Sequence, residues 1–176
     1  EPAVAALQQA HQGMKYANVP VVAAVSGLAL GGGCELMMHA SKRVALIESY
    51  VGLVEVGVGL IPAGGGLKEA AVRAAADAKG NDLLQFLKNY FMNAATANVS
   101  KSALEAKKMG YFGADDVIVF NPYELLHVAK VEARALSDAG YRPPLKTQVP
   151  VAGRYGMATI MAQLVNMRDG GFISAH

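Results

Sequence analysis

Apolar residues recur along this chain at helical spacings, and glycine, proline or asparagine separates the segments that carry them. Near the start, Ala3, Leu7, Ala10 and Met14 follow one another at three or four positions, which places them on one helical face. Similar spacing, alanine-rich composition and breaks at Gly or Pro predict further helices. The predicted helices cover residues 3–16, 34–40 and 67–78, a segment from Gly80-Asn81 to about Asn93, a segment capped by Ser100 that ends before Gly110, and residues 122–139 and 154–167.

Three short apolar runs predict β-strands. Residues 21–25 are wholly apolar, which predicts a strand buried on both faces and ended by a turn at Ser26-Gly27. Residues 43–47 resume a strand, and residues 115–120 form a third. Residues 51–66 are too rich in glycine for a long regular element and predict a loop with short turns. Short strands that alternate with helices indicate an α/β fold class.

Composition and charge exclude several classes of protein. The 176 residues are 53% apolar and 17% charged, which suits one domain with a core and excludes disorder. The net charge of +2 and the scattered Lys and Arg residues predict no nucleic-acid partner. Apolar stretches are interrupted before membrane-spanning length, so no membrane partner is expected. The single cysteine, Cys34, excludes an internal disulfide framework and is consistent with a cytoplasmic location.

Both ends of the sequence have the character of cut ends. The chain starts at Glu1-Pro2 without a secretory signal, and it closes on the turn-like segment GGFISAH at residues 170–176. We therefore expect this chain to be part of a longer protein.

Two glycine clusters make the stretch from residue 21 to residue 66 the candidate site. Gly31–Gly33 precedes Glu35, and Gly64–Gly66 follows Glu55. Glycine lets a backbone approach a ligand closely, and a carboxylate beside backbone amides is a candidate general acid or base. The stretch therefore predicts half of an active site.

Phosphate-binding and dinucleotide-binding loops do not fit these clusters. A P-loop continues with Lys and Ser or Thr, whereas Cys34 and Glu35 occupy those positions, and Glu35 would repel a phosphate. The segment Gly57–Gly59 starts like a dinucleotide-binding motif, but Pro62 stands where the third glycine belongs. Neither kind of nucleotide site is therefore predicted within this chain.

Each remaining feature also has a purely structural interpretation. Amides of Gly31–Gly33 at a helix N-terminus could hold an oxyanion, or these glycines could only let a strand pack against a helix. Glu35 could only complement the helix dipole. Glu55 lies in an apolar setting where burial would favour its protonated form, but an exposed loop glutamate is an equal alternative.

Cys34 and His39 give no independent indication of a site. His39 follows Glu35 by four positions, so the two could share a helical face, but this pair alone is too small for a metal site. Cys34 has no histidine partner at a recognisable spacing and is interpreted as a core residue. No metal ion is therefore predicted.

The segment PVVAAVSGLALGGGCEL at residues 20–36 resembles the signature of the crotonase (enoyl-CoA hydratase/isomerase) superfamily. The segment EVGVGLIP at residues 55–62, together with Gly64–Gly66, is similar to a second sequence block of that family. The resemblance is closest over residues 3–70. It implies an α/β fold of the crotonase-like type, truncated at its N-terminal strands, with a helical C-terminal region.

The resemblance also implies roles for individual residues. The Gly32 N–H would bind the thioester oxygen, and Glu35 and Glu55 would hold and activate the water that adds across the C2–C3 double bond of an acyl-CoA substrate. Two carboxylates favour a hydratase, while a double-bond isomerase and a non-catalytic oligomerisation module remain alternatives. Further substrate contacts are implied for Leu30, Gly31, Gly59 and Pro62.

The C-terminal part resembles a narrower group of proteins. Residues 102–111 and 121–144, with the helical insert at residues 80–98, are similar to long bacterial fatty-acid oxidation proteins. In those proteins a 3-hydroxyacyl-CoA dehydrogenase precedes a crotonase-like region. The resemblance implies that NAD binds only upstream of this chain, that the chain itself holds no cofactor, and that the protein is a homo-oligomer built on trimers.

The chain also departs from the family pattern. The first strands and helix of the crotonase fold, which supply the second oxyanion amide, have no counterpart in the sequence. We divide what remains into a partial crotonase-like core at residues 1–79 and a helical region of the same domain at residues 80–176. We expect little hydratase activity from the isolated chain and an exposed sheet edge that favours oligomers.

Overall fold

The computed structural model describes residues 2–173, and the predicted helices and strands are found there with changed boundaries. Glu1 and residues 174–176, part of the predicted cut ends, lie outside the described residues. The helices are α1 Pro2–Lys15, α2 Gly32–Met38, α3 Gly66–Ala78, α4 Leu83–Ala95, α5 Ala103–Lys108, α6 Leu125–Asp138 and α7 Gly153–Asp169. The strands are β1 Val22–Leu30, β2 Lys42–Gly52 and β3 Val117–Val119, and short 3₁₀ helices cover Glu55–Val58 and Pro122–Glu124.

The three strands form one parallel sheet in the order β1-β2-β3. β1 continues through Ser26 and Gly27, so the turn predicted there is wrong. At this point the pairing with β2 shifts, from Val25 opposite Ala45 to Gly27 opposite Ser49. Gly27 has a φ of 62°, and the Ser49 hydroxyl donates a hydrogen bond to the Val25 carbonyl at 3.1 Å. The bulge therefore absorbs the irregularity without ending the strand.

Burial on both faces, predicted for the first strand, is also wrong. Of the residues in β1 only Val25 is buried, and Leu28 is 73% exposed. β1 pairs with β2 on one side and lies at the edge of the described sheet, whereas β2 lies at its centre and buries Val44, Ala45 and Val51. An apolar run has the same appearance in an edge strand and in a central strand, so its burial depends on the neighbouring elements.

Helices cover both faces of the sheet. Val44 packs with Leu125 and Ala129 of α6, whereas its neighbour Ala45 belongs to a larger cluster that includes Met37 of α2 and residues from α4 and α5. Successive residues of a strand point to opposite faces, so these two clusters lie on opposite sides of β2. Within residues 2–173, no helix is both long and apolar enough to cross a membrane.

The N-cap of α5 is Ser102, so the assignment of this role to Ser100 is wrong. The Ser102 hydroxyl accepts a hydrogen bond from the Glu105 N–H at 3.1 Å, and the Glu105 carboxylate accepts one from the Lys101 N–H. Ser100 is buried, and its hydroxyl accepts a hydrogen bond from the Val51 N–H at 3.0 Å. Ser100 therefore extends the hydrogen bonding of β2 instead of starting a helix.

Candidate active site

A sharp turn at Gly31 joins the end of β1 to the start of α2. Gly31 has φ 54° and ψ −123°, a conformation that residues with a side chain rarely adopt. Its N–H donates to the Gly52 carbonyl at 2.9 Å, which ties the turn to the end of β2. α2 begins at Gly32, so the Gly32 N–H belongs to the first turn, where amides have no partner within the helix. The turn therefore presents a backbone donor at the positive end of α2.

Glu55 places its carboxylate beside this turn. It is the first residue of the 3₁₀ helix that follows β2, and a Cβ atom on Gly31 would lie 3.5 Å from Glu55 Oε1. Both carboxylate oxygens are buried, and neither has a hydrogen-bond partner among the residues that the structure describes. The interpretation of Glu55 as an exposed loop glutamate is therefore wrong for its carboxylate group.

The surroundings of Glu55 favour its neutral form. Burial raises the pKa of the Glu55 carboxyl above its usual value, and the nearby Glu35 carboxylate raises it further. The nearby backbone of Glu55 and Val54 opposes this rise in pKa without cancelling it. A carboxyl group of this kind is suited to donate a proton at a pH where an ordinary glutamate is ionised.

The raised pKa of Glu55 predicts a pH dependence of stability. The unfolded chain releases this proton near the ordinary pKa of 4.5, whereas the folded chain retains it to higher pH. The folded state binds more protons in that interval, so Glu55 should lower the free energy of unfolding as pH rises from 4.5 through the folded pKa. Urea denaturation at a series of pH values should show this decrease, and Glu55→Gln should remove it. The same change of the free energy of unfolding with pH in both proteins would contradict the prediction.

Glu35 lies in α2 and is 3% exposed. Its Oε1 atom accepts a hydrogen bond from the Gly66 N–H at 2.8 Å. A Cβ atom on Gly64 would overlap Glu35 Oε2, and one on Gly66 would lie 3.0 Å from Oε1. The Gly64–Gly66 loop therefore encloses the Glu35 carboxylate. An interaction with the helix dipole alone would not require this enclosure, so the position of the carboxylate is more specific than that interpretation predicts.

The other predicted substrate contacts, Leu30, Gly59 and Pro62, lie at different places around the two glutamates. Leu30 is the last residue of β1, directly before the Gly31 turn, and Pro62 is buried. Gly59 ends the 3₁₀ helix with a φ of 75° and lines a cleft of about 910 Å³ between that helix, α4 and α7. The apolar lining of the cleft includes Leu60, Ile61, Met92, Met167 and Phe172. The structure thus brings Glu35, Glu55 and Gly31 together and places Gly59 in a neighbouring apolar cleft.

Two histidines adjoin this site, and neither one is predicted from the sequence as a part of it. His39 Nδ1 lies 2.7 Å from the Glu35 carbonyl oxygen, and His11 Nδ1 lies 2.7 Å from the Gly64 carbonyl oxygen. The spacing of Glu35 and His39 indicated a shared helical face. His11 is 53 positions from Gly64, and no local pattern links them.

Cys34 is a core residue, as its sequence context predicts. It is fully buried in the larger cluster, and burial raises the pKa of its thiol well above the usual value. Across residues 2–173, no group of three His, Cys, Asp or Glu side chains is arranged to hold a metal ion.

Comparison with known proteins identifies the family. Residues 3–110 match the family model described as enoyl-CoA hydratase/isomerase. This chain belongs to the enoyl-CoA hydratase/isomerase family. A probable 3-hydroxyacyl-CoA dehydrogenase from Bacillus subtilis (strain 168) is 40% identical over 169 residues, which are 96% of this chain but 21% of that protein.

Solved enoyl-CoA hydratases share the fold. One from Bacillus anthracis is 25% identical, with a TM-score of 0.63 over 77% of this chain and 46% of its own length. One from Mycobacterium marinum is 30% identical, with a TM-score of 0.53 over 67% of this chain and 40% of its own length. This chain therefore spans less than half of each of these hydratases. The predicted crotonase-like α/β fold and the resemblance to the superfamily are confirmed.

Proposed function

We propose that this chain carries part of the active site of an enoyl-CoA hydratase that acts in fatty-acid β-oxidation. The reaction is the reversible addition of water to a 2-trans-enoyl-CoA, which gives a 3-hydroxyacyl-CoA. The observation that carries the proposal is the arrangement of two buried carboxylates, Glu35 and Glu55, at the glycine turn that starts α2. Membership of the enoyl-CoA hydratase/isomerase family supports the same substrate class.

The Gly32 N–H is the proposed donor to the thioester oxygen. As water attacks C3, the electrons of the C2–C3 double bond move toward the thioester, and negative charge develops on its oxygen. A backbone amide at a helix N-terminus stabilises that charge without reorganisation, and the loss of one such donor typically costs about 10²–10³ in rate. The Gly31 turn orients this amide because it fixes the first turn of α2 against the end of β2.

The two glutamates are the proposed catalytic residues. Glu35 takes a proton from the attacking water, whose oxygen bonds to C3. Glu55, which burial keeps protonated to higher pH, donates its proton to C2. A proton then passes from Glu35 to Glu55 through solvent, which restores both groups. In the reverse direction the same groups remove water from the 3-hydroxyacyl-CoA.

Four residues are proposed to contact the substrate around this centre. Leu30 and Gly31 lie at the turn itself, and Gly59 opens onto the apolar cleft that suits an acyl chain. Pro62 is buried and lies in sequence between the 3₁₀ helix and the Gly64–Gly66 loop.

We also propose that the chain belongs to a longer protein, called here the parent protein, that contains a 3-hydroxyacyl-CoA dehydrogenase. The Bacillus subtilis relative bears that name, and the region similar to this chain is a fifth of its length. The dehydrogenase would oxidise the hydratase product with NAD bound outside this chain. The parent protein is proposed to be a cytoplasmic homo-oligomer built on trimers.

Hydration of crotonyl-CoA by the purified parent protein tests the proposed function. The enoyl thioester absorbs ultraviolet light, and its absorbance should fall as water adds, with kcat/KM in the range of about 10⁴–10⁸ M⁻¹s⁻¹ that enzymes commonly show. A 3-enoyl-CoA should not be converted at a comparable rate. Rapid movement of its double bond without hydration of crotonyl-CoA would instead identify an isomerase. Stable oligomers without either activity would identify an assembly module.

A further inference from the structure

The Gly64–Gly66 loop determines where the Glu35 carboxylate lies. Its Gly66 N–H donates to Glu35 Oε1 at 2.8 Å, and Gly64 approaches Glu35 Oε2 so closely that a methyl group has no room between them. Gly65 has a φ of 120°, and a Cβ atom on it would lie 2.7 Å from His39 Cε1. A displacement of this loop would therefore move the carboxylate, so the groups that hold the loop are relevant to the reaction.

His11 connects the loop to α1. It is 2% exposed, and its Nδ1 atom lies 2.7 Å from the Gly64 carbonyl oxygen. A carbonyl oxygen only accepts hydrogen bonds, so Nδ1 carries the hydrogen and donates it. The Gln8 side chain, one turn earlier in α1, donates to the Ala63 carbonyl at 2.6 Å. Two side chains of α1 thus hold the start of the loop.

His39 connects the same loop to α2 and to the backbone of Glu35. Its Nδ1 atom lies 2.7 Å from the Glu35 carbonyl oxygen, and the Lys68 ammonium group lies 3.1 Å from its Nε2 atom. An ammonium group only donates, so Nε2 must accept while Nδ1 donates. Only the neutral Nδ1–H tautomer satisfies both contacts, and burial lowers the pKa of His39 in agreement. His39 also stacks on the His11 ring, with centroids 4.9 Å apart.

Glu69 holds the lysine that fixes this tautomer. Its carboxylate is 4% exposed and accepts hydrogen bonds from Lys68 and, at 2.5 Å, from Lys15 of α1. Burial alone would raise the pKa of Glu69, but the two lysines outweigh burial and lower it. The separation of 3.6 Å between His39 Nε2 and Glu69 Oε1 is too long for a hydrogen bond, so Lys68 is the partner of the ring.

We propose that His39 is a positioning residue for Glu35, assisted by His11, and that Lys68 and Glu69 hold its ring in the Nδ1–H tautomer. His39 donates to the Glu35 backbone and packs against Gly65, while His11 donates to Gly64. The two rings form one stack that fixes both sides of the carboxylate pocket. This inference rests on the proposed function because it assigns a task in the orientation of Glu35 for catalysis.

Kinetics of His39 variants of the parent protein test the inference. His39→Ala should lower kcat for crotonyl-CoA hydration roughly tenfold with KM little changed, because a displaced Glu35 affects the reaction more than substrate binding. Asparagine places an amide N–H near the position of Nδ1, so His39→Asn should recover most of kcat. Lys68→Met, a change at a partly exposed side chain, should lower kcat about threefold, since Nε2 loses the donor that keeps the ring neutral beside Glu69.

NMR of the histidine-labelled parent protein supplies a readout that does not depend on activity. The ¹⁵N shifts of the His39 ring should show the neutral Nδ1–H tautomer near neutral pH. Lys68→Met should shift them toward the doubly protonated ring, because Nε2 then faces Glu69 without the lysine while Nδ1 still donates to the Glu35 carbonyl. An Nε2–H ring, an unchanged kcat in His39→Ala, or a His39→Asn variant no better than His39→Ala would overturn the inference. A wild-type parent protein without hydratase activity would overturn the proposed function itself, which distinguishes the two failures.

Discussion

Replacement of Glu35 or Glu55 by glutamine in the parent protein is expected to lower kcat for enoyl-CoA hydration by about 10²–10⁴-fold in each case. Glutamine keeps the size of the side chain but cannot exchange a proton at neutral pH, so the loss reports on proton transfer. Glu35→Gln removes the base that activates water. Glu55→Gln removes the proton donor to C2. Steady-state kinetics with crotonyl-CoA measure both effects.

Glu48→Gln is a matched control for these two variants, because Glu48 is exposed on β2 and the substitution is chemically the same. It should leave kcat within about twofold of the wild type, as surface substitutions usually change little. The double variant of Glu35 and Glu55 should lose less than the product of the two single losses, since both groups act in one reaction. If one glutamate could be replaced without loss of hydration, the two-carboxylate mechanism would be wrong.

Gly64→Ala should lower kcat by about 10²-fold, because the new methyl group would occupy the position of Glu35 Oε2 and displace the carboxylate. A shift of about 1 Å in a catalytic group is sufficient for a loss of this size. KM should change much less, since the atoms nearest to the new methyl group belong to Glu35 and Leu7, and neither residue is a proposed contact of the acyl-CoA. Crotonyl-CoA kinetics and a crystal structure of the variant would measure the loss and the displacement.

Two comparisons separate this effect from a general loss of stability. Gly13→Ala introduces the same methyl group in α1, where no described atom outside the neighbouring residues and backbone of the helix lies within 4 Å of the new Cβ, and should leave kcat unchanged. In a Glu35→Gln background, Gly64→Ala should cause little further loss, because the group that it displaces no longer transfers protons. Full additivity of the two losses would show that Gly64 acts by another route.

The helices of this fold could be predicted from sequence because their signals are local. Alanine-rich composition predicts α3, and the helix ends at Ala78 as expected, with Lys79 as its C-cap and Gly80 next at a φ of 86°. The strands were harder to predict. The burial of β1 depends on whether another strand pairs with its outer edge, and β1 continues through Gly27 at a bulge where its partner strand contributes the Ser49 hydrogen bond. Neither property is encoded within the run itself.

The two serines before α5 show that a local sequence pattern alone does not identify the helix N-cap. Ser100 and Ser102 both have the chemistry of an N-cap, and each one accepts a hydrogen bond from a backbone N–H. The donor is in β2 for Ser100 and in α5 for Ser102. The packing of α5 against β2 decides between them, and that packing is a property of the folded chain.

Parts of the candidate site followed from glycine chemistry and from the family resemblance. Both placed the Gly31–Gly33 cluster beside the acidic residues Glu35 and Glu55, and the structure brings the Glu55 carboxylate to Gly31. The support behind Glu35 could not be predicted in this way. His11 reaches Gly64 across 53 positions, and its importance is apparent only when α1 packs on the loop. The roles of these residues in catalysis stay predictions until the kinetics are measured.

The burial of Cys34 gives this chain an internal reporter of its own motions. The thiol is the single one in the sequence, is wholly covered by neighbouring side chains and follows Gly33 in the first turn of α2. Alkylating reagents react with the exposed thiolate, so they can modify Cys34 only during transient openings of the core. The rate of alkylation therefore measures how often the core around Cys34 opens, and slower alkylation with bound ligand would measure how far the ligand stabilises that core.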